Sequence, residues 1–474
     1  VHGSIQARGG AHAGDGGFVE TSGKRYLDAN GARVDASGVA GQGGQWLLDP
    51  SDLTIKAAGV DTTLSLLSPF LPGLLNSLLT LTTLQSALNS GTSVILRTDG
   101  SGSGGTGNVV FDARAGAIDI VHTGTGGSTL TVDAFNDVVF SGGATSFRTQ
   151  GGAGKNLQVN LQAGNGVRTS SGASVSLSTD NAGSTVTASV LNGKTWTNDG
   201  TLTLNQNGKL DLGSAATFIN NGTLNGAAGS VGGVSGGFFR NVGTTSLTQG
   251  NFNVNGFSGG GSVFYQGNSF STGSLDFDGA QLKLLAPGTA TLSAASSIRT
   301  LGDVELGFDL SASAIDIDAG GNLTTRALAT QGSDGTTGSG QVKLKAGGNV
   351  VFTDINTSGT LSMPHGGQVQ IDAGFMVAGG NITTGGTGVS PRDQTPEGTA
   401  RVVTRPIPGL AEELRRRGAA EKPAGMLTRG LAGVVDPHGV LVVNLPGSPS
   451  GVASGMPVVV SVARHVLDQL GGSD

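Results

Sequence analysis

Cysteine is absent from the 474 residues, which excludes disulfides, thiolate metal sites and cysteine nucleophiles. That absence also suits a long chain that crosses a cell envelope unfolded. Charge is scarce: only 13% of residues are Asp, Glu, Lys or Arg, and the formal net charge is −6. No basic stripe for nucleic acid and no polybasic cluster for an anionic membrane can be built from such a sequence. Aromatics make up 4% and prolines number 14. No uninterrupted apolar run of about 18 residues exists, so no transmembrane helix is expected. The most apolar stretch, Leu64–Leu88, is broken by Pro69, Pro72 and Asn76 and reads instead as a short helix over 82–89, stopped by Gly91. The chain opens at Val1 without an initiator Met or a leader, and is read as a fragment or processed form.

What the chain has is glycine, 85 residues of it, against an average usage of roughly 7%. There is no Gly-X-Y period, so collagen is excluded. An apolar fraction of 36% and a mean hydropathy of +0.04 argue against wholesale disorder. Many short strands joined by tight turns are expected.

Internal repeats organise residues 1–382. Thr195-Trp196-Thr197-Asn198 returns as Thr217-Phe218-Ile219-Asn220, and more loosely as Phe239-Arg240-Asn241. Ala319-Gly320-Gly321-Asn322 returns as Ala346-Gly347-Gly348-Asn349 and is read again in Ala378-Gly379-Gly380-Asn381. Between these turns Ile315 and Ile317 alternate with Asp316 and Asp318, Val342 and Leu344 with Lys343 and Lys345, and Val369 and Ile371 with Gln370 and Asp372. One face of each strand is therefore buried and the other wet. A period of 20–27 residues with this alternation predicts a parallel β-solenoid, with corner Asn and Gly at positive φ and Asn amides stacked along the axis. Leucine-rich repeats lack support in the Leu spacing, and a sandwich does not produce constant offsets.

Catalytic chemistry finds little footing upstream. Gly193-Lys194-Thr195 ends like a phosphate loop, but Ala188 stands where that loop needs Gly. The six His residues lack metal-ligand spacing, Gly14-Asp15-Gly16-Gly17 starts no calcium-binding array, and Glu20, Asp35 and Asp49 read as solvated or corner-capping carboxylates. No metal site is expected.

The stretch Gly16-Gly17-Phe18-Val19-Glu20-Thr21-Ser22-Gly23, followed by Ala32-Arg33-Val34-Asp35-Ala36-Ser37 and Gly44-Gln45-Trp46-Leu47-Leu48-Asp49-Pro50, resembles the filamentous haemagglutinin-like exoproteins of two-partner secretion. The resemblance covers about residues 1–385. It implies a right-handed parallel β-helix, a secreted or surface-exposed adhesin, a glycan or protein receptor, and an outer-membrane secretion partner. The family's secretion domain precedes these motifs, so the chain as written is expected not to be exported.

After Gly388 the pattern changes. Leu410, Glu413, Leu414 and Arg417 sit at helical spacing, opened by Pro408-Gly409 and closed by Gly418. Val440-Leu441-Val442-Val443 reads as a buried parallel strand, and residues 459–470 as an amphipathic helix. Strand, Gly-containing loop and helix form an α/β module. Gly385-Gly386-Thr387-Gly388 lets backbone N–H groups approach an anion, Ser448 near a helix start offers a second anion cradle, and Asp393 is placed to hold a metal ion or a phosphate-bearing substrate.

Thr384-Gly385-Gly386-Thr387-Gly388, Arg392-Asp393, Thr395-Pro396-Glu397, Leu427-Thr428-Arg429-Gly430 and Asn444-Leu445-Pro446-Gly447-Ser448-Pro449 together resemble the molybdopterin adenylyltransferase and MoaB-like molybdopterin-binding family. That resemblance implies molybdopterin, ATP and Mg as ligands and adenylyl transfer as chemistry. It places Gly385, Gly386, Thr387, Gly388, Thr395, Asn444, Pro446, Gly447 and Ser448 around the pterin, with Asp393 as the acidic catalytic group. The family's first half is missing before Thr384, so residues 383–474 form an incomplete module with little or no adenylyltransferase activity expected. The leading reading is thus an adhesin-type β-helix fused to a half-domain of molybdenum cofactor biosynthesis. The alternative is a cytoplasmic cofactor-synthesis enzyme with a long β extension. Recombination, misassembly and design are all compatible with the fusion.

Overall fold

The computed structural model describes residues 3–23, 26–57, 76–99, 105–191, 193–229, 231–286, 289–292, 296–330, 340–357, 367–380, 382–383, 387–389, 393, 395–436, 439–446 and 449–471. Contacts divide the chain into two compact units, residues 1–288 with 300–308, and residues 289–299 with 309–474. The first unit is almost entirely β, and all its strand pairs are parallel among the described residues. Trp46 lies opposite Val94, Val94 opposite Leu130, and Leu130 opposite Val159. Each step moves one coil along a long parallel sheet, the pairing expected of a solenoid.

The repeats are the coils. Thr195–Asn198 pairs with Thr217–Asn220 residue for residue, so the offset of 217 − 195 = 22 in the sequence is the register in space. Asn220 then faces Asn241. Asn198 Nδ2 donates to Asn220 Oδ1 at 2.8 Å, and Asn220 Nδ2 to Asn241 Oδ1 at 2.9 Å, in a buried axial ladder. Beside it, ring centroids follow one another at 5.8 Å for Trp196–Phe218, 5.6 Å for Phe218–Phe239 and 5.5 Å for Phe239–Phe257. These rings are fully buried and form part of the solenoid interior. Trp46 and Trp196 repeat one device: each indole Nε1 donates to a Thr hydroxyl one coil earlier, Thr21 or Thr169, at 3.0 Å.

The corners differ from the expectation in one respect. The stacked Asn residues do not take positive φ; among the described residues Gln206 alone of the non-glycines does. Glycine supplies it as expected, for example at Gly172 (φ 76°) and Gly193 (φ 72°), and elsewhere permits close coil approach: a Cβ at Gly222 would sit 2.1 Å from the Gly200 carbonyl oxygen. Helix α1 (Leu81–Asn89) forms as predicted, ahead of Gly91; residues 64–75 of that apolar stretch lie outside the described residues. Asp15 Oδ1 accepts from Gln42 N at 2.7 Å and Asp35 Oδ1 from Ser37 N at 3.0 Å, so these carboxylates tie turns. Lys194 Nζ donates to the Gly164 carbonyl at 2.9 Å beside a plain turn.

In the second unit Ile315–Ala319 pairs with Val342–Ala346, and that strand with Val369–Ala373, again in parallel. The buried and wet faces alternate as the sequence requires for the first two of these strands. The third copy of the Gly-Gly-Asn turn was placed wrongly. Ala346 faces Ala373 and Val350 faces Val377, whereas Ile382 belongs to another sheet, opposite Ile355.

The C-terminal segment carries α2 (Thr395–Ala400), α3 (Pro408–Glu421) and α4 (Pro449–Leu470) with a small sheet. Two expectations fail here. Gly418 does not end α3, which continues to Glu421. The strand Val440–Val443 is antiparallel to Ala432–Val435 and only partly buried. Its two neighbours in sequence are a turn and a loop, so a hairpin is the shortest connection. Helix α4 begins at Pro449, ten residues before the predicted amphipathic stretch, and carries Pro457 inside. Leu410, Ala411, Ala432 and Val458, with Ile407, Leu414, Val443 and Val462 against them, pack α3 and α4 onto this sheet.

Candidate ligand site

The strand Ile382–Thr383, paired in parallel with Ile355–Asn356, leads directly into the Gly-rich loop. That strand is the last of a five-stranded parallel sheet of the solenoid, so the loop starts where the coils end. Gly385 and Gly386 lie outside the described residues, as do Gly447 and Ser448. Of the expected residues that can be placed, Thr387, Gly388, Asp393 and Thr395 fall on this loop and the start of α2, while Asn444 and Pro446 follow the strand Val440–Val443.

Arg429 gathers the loop. Its backbone N–H donates to the Thr387 carbonyl at 2.6 Å. Its Nε donates to the Gly388 carbonyl at 2.6 Å, and the rest of the guanidinium reaches the Asp393 carbonyl and the Glu397 carboxylate. The guanidinium holds the exposed Glu397 carboxyl below its ordinary range. Thr428 adds a hydroxyl contact to Thr387 Oγ1 at 2.7 Å. The cation thus spends its donors on loop carbonyls and fixes where the loop's own groups point.

Asp393 is buried, and its carboxylate lies against Gly388. A Cβ at position 388 would stand 2.7 Å from Asp393 Oδ2, so a side chain there would displace the acid. Asn444 binds the far side: its Nδ2 donates to Thr399 Oγ1 at 2.8 Å, its N–H to Leu431 O at 2.8 Å, and Leu431 N–H to its Oδ1 at 3.1 Å. Asn444 therefore ties the strand end to α2 rather than presenting a free amide. Pro446 is half-buried next to it.

Among the described residues no group of three or more His, Cys, Asp or Glu is placed to hold a metal ion. A buried Asp beside a glycine-lined turn nevertheless suits Mg, which takes one or two carboxylates and completes its shell from ligand phosphates and water. Asp393 would be that ligand.

Residue-type reasoning did not assign roles to Arg429, Thr428 or Thr399. The signal was present in the motif Leu427-Thr428-Arg429-Gly430, but a role that depends on contact across 41 residues of chain has no local signature.

A family model described as a probable molybdopterin binding domain matches residues 378–465. The molybdenum cofactor biosynthesis bifunctional protein of Synechococcus elongatus is 39% identical over 87 residues, 18% of this chain and 27% of that protein. The molybdopterin adenylyltransferase of Helicobacter pylori is 34% identical over 86 residues, 18% of this chain and 48% of that protein. The chain therefore spans about a quarter to a half of these relatives. The solved molybdopterin biosynthesis Mog protein of Mycobacterium ulcerans is 26% identical, with 31% of this chain and 97% of that chain covered and a TM-score of 0.20. The likeness to molybdopterin-binding proteins thus lies in the C-terminal segment, residues 378–465, and not in the chain as a whole.

Proposed function

We propose that this chain is a right-handed parallel β-helix of the adhesin type over residues 1–382, joined to a half-domain at 383–474 that retains a molybdopterin-phosphate cradle without adenylyltransferase activity. The observation that carries the ligand reading is the Arg429 clamp on the Thr387 and Gly388 carbonyls with Asp393 against the loop. On this reading Thr387, Gly388, Thr395 and Pro446 border the cradle, Asn444 positions it through Thr399, and Asp393 would hold Mg, which would bind the phosphate. Bound ATP would supply the adenylyl group in a complete enzyme of this kind. Here the match reaches only 48% of the adenylyltransferase, so only part of such an enzyme has a counterpart in the matched residues.

The β-helix supports a structural and interaction role at a cell surface, with a glycan or protein receptor. Its outer face carries cross-coil ion pairs such as Arg148 on Asp119 at 2.7 Å. Among the described residues no helix is long and apolar enough to cross a membrane.

Titration of the purified chain with molybdopterin, in the presence and absence of Mg, tests the cradle. Saturable binding that Gly388→Ala weakens at least tenfold, with no adenylylated product from ATP, is the expected result. Turnover of ATP dependent on molybdopterin would instead favour the enzyme reading, and absence of binding would remove the ligand reading. Limited proteolysis with mass spectrometry tests the boundary, with cleavage expected near residue 385.

A further inference from the structure

The second unit's last solenoid coil is built like the coils before it, but among the described residues no further strand pairs onto it. Val342, Leu344, Val350 and Ile355 in the preceding coil are fully buried. Their register partners Val369 and Ile371 are half-exposed, Val377 is 40% exposed and Ile382 47%. Phe375 beside them is 86% exposed and Met376 52%. Each of the strands Val369–Ala373, Val377–Gly379 and Ile382–Thr383 is paired on one side among the described residues. Open parallel edges above an apolar row are a template for another chain, and stacked repeats need a cap.

The outward row of the edge strand says what fits. Lys345 sits between Asp318, which it contacts at 3.0 Å, and its register partner Asp372. Lys343 is opposite Gln370. The edge therefore presents Gln370 and Asp372 two residues apart, flanking Ile371. In an antiparallel pair centred on Ile371, Gln370 of one copy lies opposite Asp372 of the other, and the reverse, so an amide donor meets a carboxylate twice. On the inward face Ile371 meets its own copy, and Val369 meets Ala373, large against small. The strand is self-complementary, as a two-fold interface requires.

We infer that the edge strand Val369–Ala373 is the interface of a homodimer, two copies of this chain joined end to end by antiparallel pairing about a two-fold axis at Ile371. The pairing covers Val369 and Ile371 and closes the edge of their sheet. The partner is a second copy and not a head-to-tail neighbour, because Gln370 and Asp372 complement each other only when the strand runs against itself.

The experiment is the mass of the full chain in solution by light scattering and sedimentation over a wide concentration range, for the wild type, Gln370→Asp and Gln370→Lys. Wild type is expected to pass from one mass to twice that mass. Gln370→Asp places carboxylate against carboxylate at both ends of the pair and is expected to leave a monomer. Within one copy it faces Lys343, so the fold gains an ion pair, and an unchanged circular dichroism spectrum separates lost dimer from lost fold. Gln370→Lys sets an ammonium against Asp372 of the other copy at both ends, though also opposite Lys343 of its own, and is expected to remain a dimer where Gln370→Asp does not. A monomer throughout, an open-ended series of larger masses, or a dimer indifferent to Gln370→Asp would overturn the proposal.

Discussion

Asn220 shows what one side chain does in a stacked coil. Its amide nitrogen donates to Asn241 Oδ1 and to the Thr244 carbonyl, and its oxygen accepts from Asn198. Asn220→Asp keeps the shape but replaces two donors with acceptors in a dry interior. We expect a loss of about 3 kcal/mol, and about 2 kcal/mol for Asn220→Ala, read from urea midpoints. Tyr265 sets an alkaline limit. Its hydroxyl donates to the Gly250 carbonyl at 2.7 Å, also lies 2.6 Å from the Ser269 carbonyl, and burial pushes its pKa up from 10.0 to about 12. The folded state holds the proton where the unfolded chain has released it. Its contribution is therefore complete below pH 10 and falls as pH rises towards 12. In Tyr265→Phe this alkaline decline is expected to flatten, at the cost of lower stability at neutral pH, both measurable by denaturant titration at several pH values. That Asn and Gly mark corners was legible in the sequence. Which amide donates to which was not, because it depends on coils 21 and 22 residues apart meeting in register.

At the scale of elements, the aromatic column couples neighbouring coils. Removing the Phe218 ring from between Trp196 and Phe239 leaves a cavity that two rigid backbones cannot close. Phe218→Ala is expected to cost about 3–5 kcal/mol, with amide exchange accelerated over residues 195–241 and unchanged over α3 and α4. The period-two alternation exposed these strands in the sequence because each is wet on one side. The strand Val440–Val443 misled for the opposite reason: four apolar residues in a row look the same in a parallel core and in a partly exposed hairpin, and only its pairing with Ala432–Val435 decides. Helix α3 was visible from its spacing, but its end was not. Gly418 stays helical because Lys422 N–H still reaches the Gly418 carbonyl at 2.9 Å. On its surface Glu413 is held at about 2 by hydrogen bonds from Arg416 and Arg417. The pair contributes above pH 4.5 and fades as pH falls towards 2, a small effect because the group is exposed and screened.

For the whole molecule, contacts in the stacked coils are made with adjacent coils, so stability is summed along the chain rather than held in one centre. With two compact units, urea unfolding is expected to be broader than a two-state fit allows. Fluorescence from Trp46 and Trp196, both in the first unit, should trace a transition distinct from the loss of helical circular dichroism. Coincident curves would count against independent units.

The composition and repeats by themselves determined a chain of short parallel strands, because alternation and a constant period leave few other ways to bury one face of each strand. The motifs from Thr384 onward likewise marked the end of the solenoid pattern, because helical spacing and new charge replace the period-two alternation there. Only the tertiary structure decided which copies face each other, that Val377 rather than Ile382 succeeds Val350, and that Arg429 closes the loop from 41 residues away. Those outcomes depend on register and on contact across the fold, and no local pattern of residue types encodes either.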